Sequence, residues 1–112
     1  MENTNNLSVS IEVLEQMAVM AALEVEGVMG VVDRPVDIKT AFNKGKLFKP
    51  AFATDKNGAI SIDVNIKVKE DALVKEVAEA VQVNVKEKLQ NMTGSAITRV
   101  NVIVADIAFE QK

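Results

Sequence analysis

Apolar residues recur along this chain in two rhythms. Between Ala59 and Lys69, Ile60, Ile62, Val64, Ile66 and Val68 alternate with Ser61, Asp63, Asn65, Lys67 and Lys69, the period of two that gives a strand one apolar and one wet face. Over the next stretch, Glu70–Gly94, the rhythm changes. Val74, Val77, Ala78, Val81, Val85, Leu89 and Met92 gather within an arc of roughly 120° at about 100° per residue, which predicts a helix with one buried face. Asp71 is its expected N-cap and Gly94 its stop.

An earlier helix is predicted from Ile11 to about Glu26. Ser10 is its N-cap, Val9 and Leu14 stand at the spacing of a hydrophobic staple, and Gly27 is the expected C′ glycine. Its inner stripe is Ile11, Leu14, Met17, Ala18, Ala21, Ala22 and Val25. Val13, Val19, Met20 and Leu23 lie off that stripe, among Gln16 and the glutamates. A helix apolar on most sides is either sandwiched inside its domain or meets another chain.

Short apolar runs complete the pattern. Val28–Val32 reads as a strand stopped by Asp33-Arg34-Pro35, and Asn57-Gly58 as a type I′ hairpin turn joining a strand around Ala51–Thr54 to Ala59–Lys69. In a final strand, Ala96–Phe109, the run Val102, Ile103, Val104 and Ala105 breaks the alternation and predicts a central position or a bulge. The expected fold class is α+β: a small mixed or antiparallel sheet of three to four strands packed against two helices, in the order α-β-(β)-β-α-β.

Composition limits what this fold can be. A chain of 112 residues, 48% hydrophobic and 26% charged, is expected to fold as a single domain with one core, leaving residues 1–7 as a loose arm. Its cysteine count is 0, which removes disulfide and thiol chemistry. Glu12, Glu15, Glu24 and Glu26 interrupt the one candidate signal-peptide stretch, and no run reaches the length of a transmembrane helix. The expectation is a cytoplasmic protein.

Charge changes the picture more than the net value of −3 suggests. Five glutamates and no Lys or Arg fall before Val32, whereas five lysines and only Asp55 fall within Lys39–Lys56. In the irregular basic stretch 35–50, Lys39, Lys44, Lys46 and Lys49 interleave with Phe42, Leu47 and Phe48. Single-stranded nucleic acid and anionic lipid surfaces are met by such patterns. The plainer reading is a solvated loop whose phenylalanines tuck onto the sheet.

Catalysis finds little support in the residues. With neither histidine nor cysteine in the chain, the usual zinc ligands, imidazole bases and thiolates are missing, and Ser61 and Ser95 have no histidine partner. Glu70 and Asp71 suit a helix start. Asn43–Lys46, NKGK, is too short for a phosphate-binding loop. The expectation is no enzyme, no metal and no cofactor.

Two stretches carry a resemblance. AALEVEGVMGV, from Ala21 to Val31, is similar to the A-A-x-E-V-x-G-V signature of the bacterial alkaline shock protein family, also called the cell-envelope stress response family. VQVNVKEKLQNMTG, from Val81 to Gly94, resembles that family's V-Q-x-N-V-K-x-x-[VL]-x-x-M-T-G, followed by its closing strand, here VNVIVADI. The resemblance spans about Ser8 to Ile107. It implies a small α+β domain without enzymatic activity, cytoplasmic, linked to cell-envelope homeostasis, and often held near the membrane by a membrane-anchored partner; some members are connected with lipid metabolism.

Two classes of function follow. The first is a scaffold or adaptor that self-associates and docks to a membrane-linked protein, with Val13, Val19, Met20 and Leu23 as contact residues. The second is a nucleic-acid or anionic-surface binding module acting through Lys39, Phe42, Lys44, Lys46, Phe48 and Lys49. Val83, opposite the stripe of the later helix, is read as an ordinary exposed valine.

Overall fold

The computed structural model describes residues 10–35, 48–94 and 96–108. Along the chain run α1 (Ile11–Leu23), β1 (Val28–Val31), β2 (Arg34–Pro35), β3 (Phe48–Lys49), β4 (Ala51–Lys56), β5 (Ala59–Lys69), α2 (Val74–Thr93) and β6 (Ala96–Ala108).

The strand with the clearest alternation, β5, is the axis of the sheet. One of its edges pairs in parallel with β6, from Ala59↔Ala96 to Lys69↔Ala108. The other edge is divided between two antiparallel strands: β4 takes Ala59 to Val64 and β1 takes Ile66 to Val68. The sheet is therefore mixed, with four strands. Asn57 (φ 56°) and Gly58 (φ 89°) turn the β4–β5 hairpin with both central residues in the left-handed region, as a type I′ turn requires. The carboxylate of Asp55 accepts from the Gly58 N–H at 2.9 Å.

Asn65 sits where β4 gives way to β1. Its N–H donates to the Pro50 carbonyl at 2.9 Å and its own carbonyl accepts from the Val32 N–H at 2.9 Å. Its side-chain Nδ2 donates to the same Pro50 oxygen at 3.0 Å. Alternation placed Asn65 on a wet face, yet it is 1% exposed. A buried amide at this seam supplies hydrogen bonds that neither short strand provides.

Both helices cover the apolar face of the sheet. Leu14, Ala18, Ala21 and Ala22 of α1 and Val77, Val81, Val85 and Leu89 of α2 share one core with Ile60, Ile62, Val64, Ile66 and Val68. Ala51 and Ala53, also in that core, are small enough to let α1 approach β4 closely. Val74 and Met92, at the two ends of the α2 stripe, are 37% and 68% exposed.

Several boundaries differ from expectation. Ser10 does cap α1, accepting from the Val13 N–H at 3.2 Å. The helix ends at Leu23, however, with Glu24 as C-cap, because the chain turns through Val25 N–H to Ala22 carbonyl and Val28 N–H to Val25 carbonyl bonds. Gly27 thus lies beyond the cap rather than at C′. Helix α2 starts at Val74 and its N-cap position is Leu73, without a side-chain cap bond. Asp71 lies two residues too early, in the bend closed by the Ala72 N–H and Lys69 carbonyl. Gly94 (φ 72°) ends α2 as expected.

Among the described residues β6 pairs only with β5, so it is an edge strand rather than a central one. The broken alternation does mark a bulge. Register slips between Ile60/Ser61 and Ile66/Lys67 leave Thr98 and Ala105 unpaired. These slips keep Ile97, Val100, Val102, Val104 and Ile107 opposite the five apolar residues of β5, which a strict period of two could not do. The staple residue Val9 and the arm 1–7 lie outside the described residues.

Candidate functional site

Helix α1 presents two faces of opposite character. Its inner face carries the core residues named above, and its outer face carries Val13, Met20 and Leu23, which are 42%, 65% and 48% exposed. With Gln16 these three fall within an arc of about 80° on the helix. Val19 stands apart from them: it is half-buried and packs against the core. The outer face is not sandwiched within the domain among the described residues.

One inner-face residue was not anticipated. Glu15 is buried, and its carboxylate accepts from Lys49 Nζ at 2.8 and 2.9 Å and from the Ala53 N–H at 2.9 Å. The ammonium of Lys49 also lies 5.2 Å from the centre of the Phe52 ring. This charge at the end of the basic stretch is therefore held inside the structure, tying α1 to the edge of β4 that has no strand partner among the described residues. Phe48 is 57% exposed. It pairs with Pro35, as Lys49 pairs with Arg34, so the two ends of the stretch are clasped as a two-stranded ladder. Lys39, Phe42, Lys44 and Lys46 lie outside the described residues.

The two signature stretches meet. From α2, Asn84 Nδ2 donates to the Ala21 carbonyl at 2.7 Å and to Glu24 Oε1 at 3.2 Å, satisfying a carbonyl in the last turn of α1 that has no partner within the helix. Lys88 Nζ lies 2.9 Å from the same carboxylate oxygen. These two neighbours, Lys88 first and Asn84 second, hold the Glu24 carboxyl below its ordinary range. Gln82 reaches the other way, donating to the Val100 carbonyl of β6 at 2.8 Å. Gly27 (φ 98°) closes the junction against Val77. The polar residues of both motifs thus fasten α1, α2 and β6 together.

Above this junction an open groove is lined by Glu24, Val25, Glu76, Glu79, Ala80, Val83 and Asn84. Val83 is 54% exposed there. Among the described residues no three His, Cys, Asp or Glu side chains gather to hold a metal, and neither helix is long and apolar enough to cross a membrane.

Comparison with known proteins agrees with this architecture and with the two motifs. A family described as the alkaline shock protein 23 family, of cell envelope-related function, matches residues 1–109. The uncharacterized protein YqhY of Bacillus subtilis (strain 168) is 36% identical over 109 residues, which is 90% of this chain and 76% of that protein. Solved structures of the MamM CTD share the fold: one variant superposes with a TM-score of 0.60 at 23% identity over 91% of this chain and 100% of that one. A second superposes with a TM-score of 0.59 at 24% identity, over 89% and 95%. With one family matched over nearly its whole length and its two signature stretches interlocked at the α1–α2 junction, the chain belongs to the alkaline shock protein 23 family, whose function is cell envelope-related.

Proposed function

We propose that this protein is a non-enzymatic scaffold of the cell envelope, cytoplasmic, which associates with itself through the outer face of α1 and docks to a membrane-linked protein. The observation that carries this reading is the row Val13, Met20 and Leu23, exposed on a helix whose opposite face is fully committed to the core. A charged residue in such a row, here at its C-terminal end, removes apolar area from an interface without touching the core. Sedimentation of wild type and Leu23→Glu tests the self-association. A mass of the variant below that of the wild type is expected; a wild type that stays monomeric, or an unchanged mass in the variant, removes the main support. Pull-down from native membranes and cytosol with the same pair tests the docking. Recovery of a membrane protein by wild type but not by the variant is the expected result.

The fold of the MamM CTD is compatible with this reading, because a small α+β domain of this kind offers helix faces and sheet edges rather than an enclosed cavity.

A further inference from the structure

The edge of β6 that has no strand partner among the described residues is complementary to itself. The hydrogen-bonding direction of each residue in the sheet follows from β5: the Asn65 N–H and carbonyl, and the Lys69 N–H, all point toward β4 and β1. The alternate residues Ile60, Ile62, Val64, Ile66 and Val68 therefore point toward β6, and on β6 the residues bonded to them are those flanking their partners. That leaves the backbone groups of Val100, Val102 and Val104 pointing outward. The bond from Gln82 to the Val100 carbonyl, made from outside the sheet, is an independent sign of the same direction. An open groove of about 370 Å³, lined in part by Gln82, Val83, Lys86 and Val100, runs along this edge.

We propose that β6 pairs antiparallel with β6 of a second copy, about a two-fold axis at Val102. In that register Val102 faces its own counterpart and Val100 faces the other copy's Val104. All are residues with outward backbone groups, so they form hydrogen-bonded pairs. Side chains agree as well: Val100, Val102 and Val104 all belong to the apolar face, while Asn101 and Ile103 meet on the other. The bulge at Ala105 then has a second effect. It brings Asp106 onto the face shared by Arg99, since the β5 partners of these residues, Lys67 and Ser61, lie on one face. Each exposed Arg99 is thereby set against the Asp106 of the other copy, twice per dimer, an opposite-charge cross-strand pair that shifting the register would lose. Charge complementarity and an edge without a strand partner among the described residues both select a second copy of this chain as the occupant, and the Val100 carbonyl, with two lone pairs, accepts from the Val104 N–H of the other copy beside its bond from Gln82.

This contact deepens the self-association reading but uses different residues from the α1 face, and the test separates the two. In chains that all carry Leu23→Glu, Arg99→Glu and Asp106→Arg are sedimented alone and mixed in equal amounts. Without either substitution the L23E chain is expected to dimerise. Each added substitution places like charges opposite each other and is expected to give monomer, and the mixture restores both attractive pairs and is expected to recover the dimer. A monomeric L23E chain, single substitutions that still dimerise, or a mixture that stays monomeric overturns the proposal, whatever Leu23→Glu does to the wild type. Hydrogen exchange on the L23E chain requires no edge variant to fold: the Val102 and Val104 amides are expected to become more protected as concentration rises. Exchange independent of concentration overturns the proposal as well.

Discussion

Gly27 lies so close to Val77 that a Cβ on the glycine would stand 2.6 Å from Val77 Cγ2, and its φ of 98° is one that L side chains rarely adopt. Gly27→Ala therefore combines backbone strain with overpacking, and a loss of about 2–4 kcal/mol is expected in denaturant unfolding. A double-mutant cycle with Val77→Ala should recover the contact part and leave the strain.

Glu15 and Lys49 form an ion pair with side chains only 9% and 12% exposed. Glu15→Ala leaves the ammonium without its partner and the Ala53 N–H without an acceptor, and is expected to cost about 3–5 kcal/mol. Replacing both partners, Glu15→Leu with Lys49→Met, leaves no buried charge and should cost less than Glu15→Ala alone. Equal losses in thermal unfolding would show that the charge left behind is not the cause.

The depressed Glu24 carboxyl gives a pH dependence of known sign. A folded-state value below the unfolded one adds stability that is present above the ordinary carboxylate range and is lost as pH falls through the folded value. NMR titration of Glu24 should show a midpoint below that of an ordinary glutamate. In Lys88→Met, which removes the largest cause, the midpoint should move back toward the ordinary value.

Because Lys49 is held by Glu15, Lys39, Lys44 and Lys46 are the lysines of the basic stretch to test for binding to an anionic surface. Binding to single-stranded RNA through them should depend on salt with a log–log slope no steeper than about −2. Lys49→Ala should lower stability without changing that slope. A steeper slope, or binding that survives replacement of the three, assigns the contact elsewhere.

How much of this was legible depended on how local each cause is. The strand Ala59–Lys69 and its Asn57-Gly58 turn were readable to the residue, because period and turn chemistry both lie within the segment. The outer face of α1 was readable for the same reason at Val13, Met20 and Leu23, though not at Val19, whose burial comes from its packing neighbours. Glu15 was hidden: a glutamate among apolar residues resembles a surface position until Lys49, brought in from another element, is seen beside it. Asn65 was misplaced because strand alternation carries no information about where two short partners meet. Gln82 and Asn84 stood in the text of a signature, and their spacing of two residues held the signal that they serve different neighbours, β6 and α1.

The divided edge of β5 also orders the events by which the chain folds. The β4–β5 hairpin closes across a two-residue turn, a local event of the microsecond class. Strand β1 must return from beyond the 36–47 segment and β6 from beyond α2, and both arrivals carry the delay of long loop closure. Asn65 is the last residue of β5 before the span taken by the latecomer β1, and its backbone bonds reach both neighbours. Substitution there, by Asn65→Ala, should speed unfolding more than it slows folding.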